Sequence, residues 1–157
     1  MARWKIKNVG MKGVAMAVPE NVVKTSDFDF FSQEEAEVFD NTRHIAPDNM
    51  CASDMCQAAA EKLLEELGWE RDSIDVLLFE SVTGDYRTPP TSCILQDRLA
   101  LSENCFCMDI PMGCCGCMYA ITVAGNLLTT GNVKRALLLI GDTALRMGSM
   151  KDKSRVP

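Results

Sequence analysis

The stretch MDIPMGCCGCMYAI, residues 108–121, places three of the chain's eight cysteines within four positions, between a short apolar run and a helix-forming one. Read locally, it is a strand, a tight turn holding Gly113, Cys114, Cys115 and Gly116, and a helix expected over residues 114–130. A side chain at such a turn stands at a helix N-terminus, where backbone N–H groups lack helical partners and the helix dipole is positive. Those groups favour an anion, either a thiolate or an oxyanion. Small residues beside the nucleophile let the turn close and let substrate approach, as in a nucleophile elbow. Cys114 is therefore the candidate nucleophile, and the helix start at Cys114, Cys115 and Gly116 the candidate oxyanion site.

Two other readings compete for the sulfurs. Cys105, Cys107, Cys114, Cys115 and Cys117 can be aligned as C-x-C and C-C-x-C, but zinc sites usually separate paired ligands by two to four residues, so a metal is disfavoured. Free cysteine is more often a small buried hydrophobe, and Cys51, Cys56, Cys93, Cys105 and Cys107 are assigned to that role. Disulfides are disfavoured too. The N-terminal MARWKIKNVGMKGVAMAVP has no apolar core long enough for a signal peptide, which makes a reducing cytoplasm the expected location.

Working outward, IDVLLFES (residues 74–81) is almost continuously apolar, as a strand covered on both faces of a parallel sheet should be. CFCMDI and ALLLIGD read as further strands, and Lys5 to Val18 as a first one, bent near Gly10 or Gly13. Ser53 is the expected N-cap of a helix whose Met55, Cys56, Ala59, Ala60, Leu63, Leu64 and Leu67 form one stripe, closed by Gly68. Residues 91–101 read as a helix with Cys93, Ile94, Leu95, Leu99 and Leu101 inward. SQEEAEVF is a short helix and APDN a turn. Four strand–helix alternations define an α/β fold, a mainly parallel sheet with helices on both faces.

At 157 residues and 47% hydrophobic content the chain is sized for a single domain, residues 1–157. A formal net charge of -6 argues against nucleic acid as a partner. Lys151, Lys153 and Arg155 form the one local basic cluster, read as a solvated loop. No segment is long and apolar enough to span a bilayer. The chain ends at SRVP, shortly after a strand, and so reads as stopping mid-fold.

DIPMGCCGCMYAI resembles the hallmark of the 3-oxoacyl-[acyl-carrier-protein] synthase III family of thiolase-like condensing enzymes. That hallmark is a strand D-[VIL]-x-x-x-C followed by a helix beginning with a glycine and an aromatic residue. The alignment sets Asp109 as the hallmark Asp, Cys114 as nucleophile, Gly116 as helix-start glycine, and Tyr119 and Ala120 on the helix. VAMAVPENVVKTSDF resembles the family's first strand and Pro bend, RHIA its arginine-rich turn, TPPTSCILQDRL its pocket-side helix, and LLLIGD the strand before its substrate loop.

The resemblance implies the N-terminal half of a thiolase-like fold, lacking its fifth strand. It implies acyl transfer to Cys114 from an acyl-CoA or acyl carrier protein thioester, then decarboxylative condensation with malonyl-acyl carrier protein, without cofactor or metal and within a homodimer. It places Thr88 at the acyl pocket, and Phe39, Arg43 and Lys153 at the substrate entrance. Family members complete the site with a His and an Asn from a second half, and neither has a counterpart here; His44, in the RHIA turn, reads as structural. The expected chain is thus competent at most for acylation. A non-catalytic dimerising half and a cysteine metal module are the alternatives from other classes. Polyketide, aryl or olefin condensing enzymes and hydroxymethylglutaryl-CoA synthases are the alternatives within the fold.

Overall fold

The apolar runs become strands because each buries side chains on both faces while its backbone groups are satisfied by neighbours. In the computed structural model, which describes residues 5–28, 31–38 and 42–143, β3 (Val76–Glu80), β4 (Phe106–Ile110) and β5 (Ala136–Ile140) form a parallel sheet in the order β4-β3-β5. Val76 pairs with Phe106 and Ala136, and Glu80 with Ile110 and Ile140, so all three strands end at one level. Every residue of β3 is buried.

Alternation along β3 then divides the core. Leu77 and Phe79 join Leu137, Leu139, Leu95 and Leu64 under helices α2 (Ala52–Leu67) and α3 (Thr91–Arg98). Val76 and Leu78 join Ile110, Ala120 and Ala124 under α4 (Gly116–Thr129) on the other face. Helices thus cover both faces of a parallel sheet, the α/β arrangement expected from the strand–helix alternation. Among the described residues no helix is long and apolar enough to cross a membrane.

Several expected details shift. Cys51, not Ser53, is the N-cap of α2: Asp54 Oδ2 accepts the Cys51 N–H at 2.7 Å while the Asp54 N–H donates to the Cys51 carbonyl at 3.2 Å. Ser53 lies in the first turn, two residues past the cap, fully buried, its hydroxyl donating to Asp85 Oδ2 at 2.5 Å. Gly68 closes the helix as expected, at φ 59°. Cys93 is exposed and Ile94 half-buried. Thr91, Ser92, Leu95 and Leu99 occupy the inward positions of α3, and their spacing turns Cys93 outward. α4 begins at Gly116, two residues later than expected, because residues Gly113–Cys115 form a separate 3-10 turn.

The expected first strand, Lys5 to Val18, is not formed. A strand needs a neighbour for its backbone groups, and among the described residues none pairs with this segment. It packs by side chains and glycines instead: Ile6 sits where a Cβ on Gly125 would be, and Gly13 lies against Leu63 and Leu67. Downstream, β1 (Val22–Lys24) pairs antiparallel with β2 (Thr42–His44), so part of the expected RHIA turn is strand. The short helix α1 (Gln33–Val38) falls within SQEEAEVF, and the APDN region turns through a Met50 N–H to Pro47 carbonyl bond of 2.9 Å.

Candidate functional site

The cysteine turn sits where β4 runs out. Gly113 has φ 62°, a left-handed conformation that strains any residue with a Cβ, and it reverses the chain after Met112. The Gly116 N–H then donates to the Gly113 carbonyl, closing the turn into the first residue of α4. Cys114 and Cys115 are both exposed, but they are not equivalent. The Cys115 thiol is turned back onto the Met112 carbonyl at 3.3 Å, whereas the Cys114 thiol makes no hydrogen bond to a described residue.

Beneath the turn lies Glu80, which sequence reasoning missed. As the last residue of β3 it shares the parity of Val76 and Leu78, so its side chain points to the α4 face. It is 3% exposed, and its Oε1 has no hydrogen-bond partner. A Cβ at position 116 would overlap the Glu80 carboxyl, so only glycine fits there. Burial raises the Glu80 carboxyl above the usual carboxylate range and the Asp142 charge adds to this, while the Gly113 N–H pulls the other way. The available signal was a charged residue at an inward position of VLLFE.

Two further carboxylates organise the strand ends. Asp109 accepts the Thr91 and Ser92 N–H groups, each at 2.8 Å, and so caps α3 from the neighbouring strand. Asp142 Oδ1 gathers the Ser81 hydroxyl (2.7 Å), the Val82 and Thr83 N–H groups (2.8 and 3.0 Å) and the Thr83 hydroxyl (2.8 Å), which pins the chain leaving β3. Val82 in turn lies 3.5 Å from where a Gly113 Cβ would stand. The loop after β3, the turn after β4 and the residues after β5 therefore meet at one end of the sheet.

The remaining candidates are more scattered. Thr88 is exposed in the loop between β3 and α3, joined to Pro89 by a cis peptide bond. Arg43 lies on β2, its Nη1 donating to the Thr25 hydroxyl at 2.7 Å. His44 Nδ1 donates to the Pro19 carbonyl at 2.6 Å, a structural tie of the β1–β2 pair. Phe39 and Lys153 lie outside the described residues. Among the described residues no cluster of three or more His, Cys, Asp or Glu side chains forms a metal-binding group.

A layered parallel sheet with a cysteine at the strand-to-helix turn is the thiolase-like arrangement. Residues 108–156 match the family of 3-Oxoacyl-[acyl-carrier-protein (ACP)] synthase III. A beta-ketoacyl-[acyl-carrier-protein] synthase III of Rhodopirellula baltica is 31% identical over 97% of this chain and 45% of its own length. The crystal structure of a 3-oxoacyl-(acyl-carrier protein) synthase from Burkholderia xenovorans LB400 superposes with a TM-score of 0.83 at 38% identity, over 90% of this chain and 43% of that one. That of a 3-oxoacyl-[acyl-carrier-protein] synthase III from Aquifex aeolicus VF5 shares the fold, with a TM-score of 0.82 at 24% identity, over 90% of this chain and 47% of that one. The chain is a homologue of the beta-ketoacyl-[acyl-carrier-protein] synthases III, consistent with their N-terminal half. It spans about 45% of the length of the curated relative from Rhodopirellula baltica.

Proposed function

We propose that Cys114 accepts an acyl group from a thioester of coenzyme A or acyl carrier protein. The observation that carries this reading is the exposed Cys114 thiol on the turn between β4 and α4, beside a Cys115 thiol already engaged by Met112. In the reaction the thiolate attacks the thioester carbonyl and a tetrahedral oxyanion forms against backbone N–H groups of the helix start. The carbon–sulfur bond to the carrier then breaks, and the carrier leaves as a thiol with the proton that Cys114 gave up. A malonyl thioester, best supplied on acyl carrier protein, would next lose carbon dioxide, and its carbanion would displace Cys114 to give a β-ketoacyl thioester.

The second step calls for hydrogen-bond donors at the malonyl carbonyl, which the family draws from a His and an Asn beyond the portion matched here. The sole histidine, His44, is committed to Pro19. On this reading residues 1–157 form one thiolase-like unit that is acylated but does not condense, and condensation belongs to a longer homodimeric protein. Thr88, small and exposed, leaves the acyl pocket open to longer or branched chains. The resemblance alone assigns Phe39, Arg43 and Lys153 to the entrance; lysine at position 153 stacks less well on an adenine than arginine does and so favours the carrier protein over coenzyme A.

The test is to incubate the chain with acyl thioesters of both carriers and map the modified peptide by mass spectrometry. Acyl label on Cys114, lost in Cys114→Ser and kept in Cys115→Ser, is the expected result. Absence of label on Cys114 from either carrier would leave a non-catalytic half-domain.

A further inference from the structure

We propose that Cys93 and Cys107 form a reversible oxidation site, in which a peroxide joins the two thiols in a disulfide that ties α3 to β4. The site lies outside the cysteine turn and does not depend on the reading of Cys114 as the acyl acceptor.

Two measured contacts bracket the pair. The side chains of Cys105, Cys107 and Asp109 alternate onto the face of β4 that α2 and α3 cover. At one end of that row the Asp109 carboxylate accepts the Ser92 N–H at 2.8 Å. At the other end the Gln96 side-chain amide donates to the Cys105 carbonyl at 3.3 Å. α3 therefore runs antiparallel to β4, with Ser92 over Asp109 and Gln96 over Cys105. Cys93 and Cys107 are the thiols that fall between these two contacts. They also sense each other: burial, then Cys105 and then Cys93 push the Cys107 thiol up to about 12, so the Cys93 sulfur acts across the gap between helix and strand.

The two thiols differ in access as an oxidation site requires. Cys93 is exposed, and β4 ends its sheet among the described residues, so an oxidant reaches Cys93 without any opening of the fold. Cys107 is half-buried, its Sγ 3.5 Å from the Cys105 carbonyl. Cys105 is deeper, at 7% exposure. An accessible thiol beside a sheltered one that can capture it is the arrangement that turns oxidation into a disulfide rather than into higher oxides.

The chemistry closes with hydrogen peroxide as oxidant. Its O–O bond breaks as one oxygen joins the Cys93 sulfur, giving a sulfenic acid and one water. The Cys107 sulfur then attacks the Cys93 sulfur and the S–O bond breaks. That oxygen leaves as a second water, carrying the sulfenic hydrogen and the Cys107 proton. Two thiols have lost two hydrogens and the peroxide has been reduced; a thiol reductant reverses the bridge by exchange. The bridge closes residues 93–107 into a loop and braces α3 against the strand that enters the cysteine turn.

The experiment treats the native chain with hydrogen peroxide, blocks the remaining thiols and digests with a protease that cleaves before aspartate. Cuts at Asp85, Asp97 and Asp109 place Cys93 in peptide 85–96 and Cys105 and Cys107 in peptide 97–108, apart from the cysteines of the turn. The expected product is these two peptides linked and lighter by two hydrogens. It should be absent in Cys93→Ser and Cys107→Ser, present in Cys105→Ser, and reversed by dithiothreitol. In the unfolded chain in urea the same link should form at least about tenfold more slowly, because the fold holds the pair together. In Cys107→Ser the Cys93 sulfenic acid should instead accumulate as its dimedone adduct. If that variant does not fold, fragment-ion sequencing of the linked pair from the unsubstituted chain locates the bond directly. No linked pair, a bond through Cys105, or an equal rate in urea would each overturn the proposal.

Discussion

The carboxylate of Asp109, on β4, accepts the backbone N–H of Thr91 at 2.8 Å, so the strand that leads to the cysteine turn also fixes the start of α3. Its second oxygen takes the Ser92 N–H at the same distance. These two donors are among those a helix start leaves without partners. Asp109→Ala should therefore lower stability by about 1–2 kcal/mol, the usual cost of losing a helix cap. Asp109→Asn retains one acceptor oxygen and should cost less. Urea midpoints of the two variants, at unchanged slope, check the order.

Gly116→Ala should be worse than its small size suggests. The backbone there is ordinary helix, so the cost comes from overlap with Glu80 rather than from backbone strain. Displacing a buried group by one methyl typically costs about 1–3 kcal/mol. Glu80→Ala removes the obstacle, so the double variant should recover part of the loss. A double-mutant cycle measures this coupling, and strict additivity would show that the two residues do not meet.

Glu80 also sets a pH dependence of stability. Its folded carboxyl holds its proton to higher pH than the unfolded one, so its contribution is fully present below the unfolded value of about 4.5 and is lost as pH rises through the elevated folded value. Glu80→Gln does not ionise and escapes this loss. The variant should match the unsubstituted chain near pH 4 and become relatively more stable toward neutrality, as chemical denaturation across that interval would report.

The thiols should separate by rate. Burial, with the charges of Asp142 and Asp85, pushes Cys56 up to about 12; burial and the neighbouring Cys105 push Cys107 up to about 12. Both stay protonated at neutral pH, and the thiolate is the nucleophile. Cys93, Cys114 and Cys115 are exposed. A maleimide should label these three in the native chain well before Cys56, which should need unfolding. Above about pH 9 the raised thiols hold protons that the unfolded chain releases, so stability should fall there as pH rises.

Much of this was legible in the primary structure. VLLFE, CFCMDI and ALLLI are apolar on both parities, which fits strands covered on two faces, and Gly113 and Gly116 mark a turn around Cys114. Three things were not. Glu80 shares the inward parity of Val76 and Leu78, but as the last residue of its strand its charge reads as the exit to solvent, and the packing against Gly116 shows it buried. Cys93 carries no signal for its facing, because thiols suit either side of a short helix. Lys5 to Val18 has strand composition, but a strand exists only with a ladder partner, and pairing is not written in one segment's own residues.

That first segment, with Ile6 against Gly125 on α4 and Gly13 against Leu63 and Leu67 on α2, joins helices from opposite faces of the sheet. Gly125 is made roughly 120 positions after Ile6, and contacts so distant along the chain are slow to close. The β3–β4 and α3–β4 pairings can form from a much shorter length of polypeptide. Residues made well before α4 are in this way among the last to find their places, and an emerging chain carries Ile6 uncovered until α4 has been synthesised.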